Sequence, residues 1–144
     1  MTPEQAKQLV EMQIAFNQVI DPAYPEHPQV KRDDVKAILV ELGEYFEHTA
    51  YKWWKKQAAD WAQANMELID ILHFAISDAV ENACQQGRTR DQAAEEVAQL
   101  ILSGVNAGVS VADGKDLVVA LAQDGDANQP LRCGERLFAT LMAA

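Results

Sequence analysis

The chain has 144 residues, 49% of them apolar, and a formal net charge of −10. That length suits one domain with a real core, spanning 1–144. The acidic balance excludes nucleic acid as a partner, because phosphate backbones are met by basic patches. An acidic enzyme can still take phosphates when metal ions supply the positive charge. Cys84 and Cys133 are far apart and form no C-x-x-C, which predicts reduced thiols and a cytoplasmic setting. The first residues, MTPEQAKQ, hold no apolar signal core, and no apolar run approaches the ~20 residues that cross a bilayer. A soluble protein without membrane contact is expected.

Thr2, Pro3 and Gln5 open the first helix as cap, first turn and capping-box partner. Leu9, Met12, Ile14, Phe16 and Val19 read as its apolar side, and Asp21-Pro22 ends it. Gln13 and Asn17 are four apart and share a face. Amide side chains can read a base edge, but spacing alone gives these two a solvated face. Pro22, Pro25 and Pro28 make an extended connection. A second helix starts near Lys31 to Asp34, with Val35, Ile38, Leu39, Leu42 and Phe46 as its stripe. Glu41 and Glu44 lie beside that stripe, where they can face a cleft.

Next comes an aromatic and basic stretch, Tyr51-Lys52-Trp53-Trp54-Lys55-Lys56. An aromatic plane beside ammonium groups suits a nucleotide, although a tryptophan is by default core. The third helix is expected from about Ala58 to Gln86, stopped by Gly87. Its middle, MELIDILHFAI, is apolar nearly all round, the mark of a buried helix. Only Glu67, Asp70 and His73 interrupt it, at i, i+3 and i+6. Buried charges must be paired or must bind metal. No Lys or Arg occurs from Gln57 to Gly87, so the partner must come from elsewhere. A divalent cation shared with Glu41 and Glu44 fits. Carboxylate oxygens are hard donors, which favours Mg²⁺, with Mn²⁺ possible. His73 reads as a neutral buried histidine satisfied by a hydrogen bond rather than as a ligand.

A capping box at Thr89 to Gln92 opens a fourth helix through about Leu102. A short fifth helix, 115–123, and a last amphipathic helix, 131–142, complete an all-α bundle of about five to six helices with no convincing strand.

E-x-x-E, 22 intervening residues, then E-x-x-D resembles the signature of the MazG-like all-α NTP pyrophosphatase superfamily. MQIAFN at 12–17, KWWK at 52–55 and ELIDILHF at 67–74 are similar to stretches of its dimeric all-α dUTPase family. The resemblance implies that Glu41, Glu44, Glu67 and Asp70 hold Mg²⁺. It implies that Trp54 lines the base pocket, that Gln13 and Asn17 lie near the nucleotide, that Lys55 meets phosphate, and that His73 and Phe74 flank the deoxynucleoside. It further implies a homodimer that hydrolyses dUTP, and often dUDP, to dUMP by attack of water on the α-phosphate. Glu41, one turn from Glu44, is assigned as the general base. A C-terminal segment rich in Tyr, Lys, Asn and Arg, which closes on the phosphates in larger members, has no counterpart after Gly87. Three other readings compete. One is a broader house-cleaning dNTP pyrophosphatase for dCTP or modified nucleotides. Another is a di-iron bundle, for which only Asp70-x-x-His73 is available. The last is a non-catalytic acidic interaction module.

Overall fold

The computed structural model describes residues 1–107, which form four α-helices and no strand. These are α1 (Pro3–Ile20), α2 (Asp34–His48), α3 (Trp61–Gln85) and α4 (Arg90–Ala107). The fold is all-α, as expected. The expected helices at 115–123 and 131–142 lie outside the described residues, as does Cys133. Among the described residues no helix is long and apolar enough to cross a membrane.

The helix ends follow the local chemistry. Thr2 and Gln5 exchange both bonds of the capping box, at 3.2 and 2.8 Å. Thr89 and Gln92 do the same for α4. Helix α3 begins at Trp61 rather than Ala58, because Asp60 caps it through the Gln63 amide at 3.1 Å. Gly87 stops it with a φ of 91°, a left-handed conformation that glycine adopts without steric cost.

Helix α3 is the central element. α2 packs along it, α4 packs on α1 and α3, and α1 touches α3 without packing on α2. The α2–α3 pair runs antiparallel: Asp34 interacts with Glu81, and Glu41 with Glu67 and Asp70. The core is aliphatic and small. Val10, Ile14, Ile71, Ile76, Val80, Val97 and Ile101 are fully buried among alanines of α1, α3 and α4. Small residues let the helices approach closely, and each buried large aliphatic side chain contributes ~1.5–3 kcal/mol.

Three readings of the helix faces change. In α1 the buried residues are Ala6, Val10, Gln13, Ile14 and Asn17, while Met12, Phe16 and Val19 are exposed. The solvated face expected for Gln13 and Asn17 is the inner one, because Ser77 supplies their partner from α3. In α2 only Asp34, Ile38 and Leu42 are buried, and Val35 and Leu39 face outward. Helix α3 is not buried all round: Met66, Ile69 and His73 are exposed, because no described element covers that side.

The connection from α1 to α2 is compact rather than extended. The Asp21 carboxylate accepts the backbone amides of Ala23, Gln29 and Val30. These bonds, that of Val30 foremost, hold its carboxyl below the usual range. Tyr24 is buried and donates its hydroxyl to the Ser77 carbonyl at 2.9 Å. The guanidinium of Arg32 lies over the Tyr24 ring at 4.1 Å. This loop places Arg32 and Asp34 against the C-terminal part of α3, near Asp78 and Glu81.

Candidate active site

Because α1 and α2 do not meet, a cleft of about 430 Å³ opens between them. Its floor is α3, through Asp70, His73, Phe74 and Ser77, which recur at i, i+3, i+4 and i+7 and share one face. One wall is α1, through Gln13, Phe16, Asn17 and Ile20; the other is Arg32 and Asp34.

The polar part of the α1 wall is fixed. Gln13 Nε2 donates to Asn17 Oδ1 and to Ser77 Oγ, both at 3.1 Å. Asn17 Nδ2 donates to the same hydroxyl at 2.9 Å, and Ser77 Oγ donates to the His73 carbonyl at 2.9 Å. An amide group carries two N–H donors and an acceptor oxygen. Gln13 Oε1 therefore remains available to a ligand.

At the other end of the floor the cleft runs into a carboxylate cluster. Single oxygens of Glu41, Glu67 and Asp70 all lie within 4.8 Å of one another. Glu67 is buried, whereas Glu41 and Asp70 are half-buried. Among the described residues no Lys or Arg pairs with any of the three, and Glu67 meets only His48 Nε2, at 3.4 Å. Burial raises the Glu41 carboxyl above its ordinary range, and the charges of Glu44, Asp70 and Glu67 raise it further. Three converging carboxylates without a protein cation repel one another, and hard oxygen donors at this spacing can hold a divalent ion. Glu44 is exposed and stands outside the converging three, although its charge reaches Glu41.

Of the nucleotide-contact residues expected from the sequence, Gln13, Asn17, His73 and Phe74 line the cleft together with Asp70. His73 is exposed on the floor rather than buried. Trp54 and Lys55 are not brought to the cleft. They lie in the connection between α2 and α3, where Trp54 meets Tyr51 and Trp53 edge to face at 6.0 and 5.6 Å. Trp53 and Trp54 are 90% and 60% exposed, so neither is core. Lys52 pairs with Glu47 rather than standing free. Sequence reasoning missed Arg32, Asp34, Ser77 and His48. Ser77 could have been found by extending the Asp70–His73 line one more turn. Nothing local marks the others.

By class, a helical fold with this site is a nucleoside triphosphate diphosphatase, a hydrolase, and comparison with known families gives the class its name. A family model described as dUTPase matches residues 5–122, and the chain belongs to that family, the all-α dUTPases. Its members generally depend on metal, in keeping with the three carboxylates. No curated protein and no solved structure matches the chain.

Proposed function

We propose that the protein hydrolyses dUTP to dUMP and pyrophosphate with Mg²⁺, and that it does so as a homodimer. One observation carries this reading: Asp70 belongs both to the carboxylate cluster and to the floor of a cleft whose far end is a fixed polar wall. A nucleotide laid along that floor would put its base against Gln13 and Asn17 and its phosphates at the acidic end. His73 and Phe74, between the two, are placed to flank the deoxyribose. Phe16 lines the same wall as Gln13 and Asn17, where packing against the base would favour uracil over the bulkier thymine.

Glu41, Glu67 and Asp70 would hold the ion, with Glu44 as the fourth carboxylate of the signature. Bound Mg²⁺ would offset phosphate charge and acidify a nearby water. Glu41, whose proton affinity is raised by burial and by neighbouring charge, would take the proton of the attacking water. Oxygen then bonds to the α-phosphorus as the bond to the bridging oxygen breaks, and pyrophosphate leaves. Trp54 and Lys55, away from the cleft, have no assigned part in this step.

The homodimer rests on uncovered apolar surface. Met12, Phe16 and Val19 line one face of α1, and Met66 and Ile69 stand out from α3, all 45% or more exposed. Apolar patches of this kind mark association surfaces. Sedimentation at micromolar concentration should show a dimer.

The deciding experiment is pyrophosphate release from a panel of nucleotides with Mg²⁺. Preference for dUTP supports the reading. Equal turnover of dUTP, dCTP and dTTP would leave the broader pyrophosphatase in its place.

A further inference from the structure

The wall of the cleft opposite Gln13 and Asn17 holds a group that no role above uses. The Asp34 side chain is only 7% exposed, yet it lines the cleft. Among the described residues it accepts no hydrogen bond. Its nearest cation is Arg32, whose Nε stands 3.9 Å from Asp34 Oδ2, too far to donate. Arg32 is committed elsewhere: it donates to Glu81 at 2.9 Å and lies over the Tyr24 ring. A carboxylate buried to this degree without a donor is costly, and such groups are normally satisfied. The open side of Asp34 is the cleft.

Its position along the cleft selects what it meets. Asp34 precedes Glu41 by seven residues, and Ser77 follows Asp70 by seven. On antiparallel helices both steps run the same way, ~10 Å from the carboxylate cluster at 1.5 Å per residue. Asp34 therefore sits at the end where the reading above puts the base, beyond the stretch where it puts the sugar.

On that reading, we infer that Asp34 determines base specificity by accepting the imide N–H of uracil, opposite the amides of Gln13 and Asn17. Uracil presents a donor flanked by two carbonyl acceptors. An ionised carboxylate matches the donor. Cytosine presents a lone pair at the same ring nitrogen, which an ionised carboxylate repels. A site whose polar group is left unpaired rejects the wrong edge strongly. Protonated Asp34 reverses the match, because its O–H can donate to the cytosine nitrogen.

Burial pushes the Asp34 carboxyl up to about 6, with Arg32 opposing and Glu81 and Asp33 assisting. The charged or titratable groups facing it are Arg32 and Asp33 on its own side and Asp70, His73, Asp78 and Glu81 on α3. Discrimination between the two bases should therefore weaken in mild acid.

The test measures kcat/KM for dUTP and dCTP side by side on the full chain with Mg²⁺, at pH 8 and pH 5.5. Effects of pH on metal loading or on the general base are common to both substrates and cancel in the ratio. The wild-type preference for dUTP should fall at least tenfold between the two pH values. Asp34→Asn should bring the ratio towards unity and remove its pH dependence. Asp78→Asn, behind the wall and outside the cleft, should keep the wild-type ratio. A pH-independent wild-type ratio overturns the assignment even if Asp34→Asn does not fold. So does an Asp34→Asn variant that slows both substrates by one factor. Absence of any dUTP hydrolysis by the wild type would instead overturn the underlying function.

Discussion

The α2–α3 pair carries two layers of carboxylates, two helical turns apart, and they are settled in opposite ways. Arg32 bonds Glu81, stands 3.9 Å from Asp34 and is itself held by Tyr24. Asn82 adds a donor to Asp78 at 2.9 Å. Glu41, Glu67 and Asp70 converge within 4.8 Å of one another but receive no Lys or Arg, only His48 at the edge of Glu67. The first layer carries its own cation in Arg32 and reaches the cleft at Asp34. The second is left incomplete by the protein and reaches the cleft at Asp70. Acidity alone does not mark a metal site; the missing counter-charge does.

The largest effect should come from breaking the incomplete layer. Glu67→Gln or Asp70→Asn should lower kcat by more than the ~10–100-fold typical of outer-shell losses at metal sites, with the fold kept. Mg²⁺ should raise the melting temperature of the wild type by binding the native state and should not raise that of either variant. Each variant should be at least as stable as the metal-free wild type, because it removes an unpaired charge. Full hydrolysis in both variants, with Mg²⁺ as the only metal, would erase the distinction between the layers.

Breaking the paired layer should cost stability before it costs turnover. Arg32→Met leaves Asp34 and Glu81 without a cation. The Arg32 and Glu81 side chains are 16% and 20% exposed. The loss should therefore be about 2 kcal/mol, below the ~3–5 of a fully buried pair. Urea unfolding at pH 7.5 reads it directly, and the loss should shrink at pH 5.5 as Asp34 takes up a proton. An unchanged midpoint would mean that Asp34 and Glu81 are solvated rather than held by Arg32.

The two layers were unequally legible in the sequence. Glu41, Glu67 and Asp70 could be read because i, i+3 spacing and an apolar surround are local signals, and the same spacing picked out Glu44, which stands outside the converging three. The capping boxes at Thr2 and Thr89 and the stop at Gly87 were local for the same reason. Asp34 was legible only as a helix start, since its burial depends on a loop folded over the Asp21 carboxylate and on Glu81 far along the chain. Helix α1 misled in the same way. Met12, Phe16 and Val19 looked like core, and Gln13 and Asn17 looked solvated. The reverse holds because Ser77 satisfies the two amides across 64 and 60 residues of sequence. Trp53 and Trp54 were weighed between core and ligand contact, and the connection that carries them leaves both outside the core and the cleft.

The smallest expected effect separates the layers by the sign of their response to pH. Burial, above all, raises the Asp34 and Asp78 carboxyls to about 6 from an ordinary 3.8. Between those values the native state holds protons that the unfolded chain has released, so stability falls as pH rises from about 4 to about 6. Lowering the pH from 7.5 to 5 should therefore stabilise the metal-free protein, by about 1 kcal/mol for each group after allowance for solvent. Asp21 acts in the other direction: its backbone amides hold the carboxyl low, so its contribution is lost only as the pH falls below about 4. With EDTA present, urea unfolding should thus give greater stability at pH 5 than at pH 7.5. Replacing both Asp34 and Asp78 by Asn should reduce that difference to what the raised Glu41 carboxyl contributes. With Mg²⁺ present the incomplete layer should add a term of opposite sign, because ion binding requires ionised Glu41, Glu67 and Asp70 and strengthens as the pH rises. A wild type that is most stable at pH 7.5 in EDTA would show that Asp34 and Asp78 are not held as desolvated acids, and the contrast between the layers would reduce to the position of Arg32.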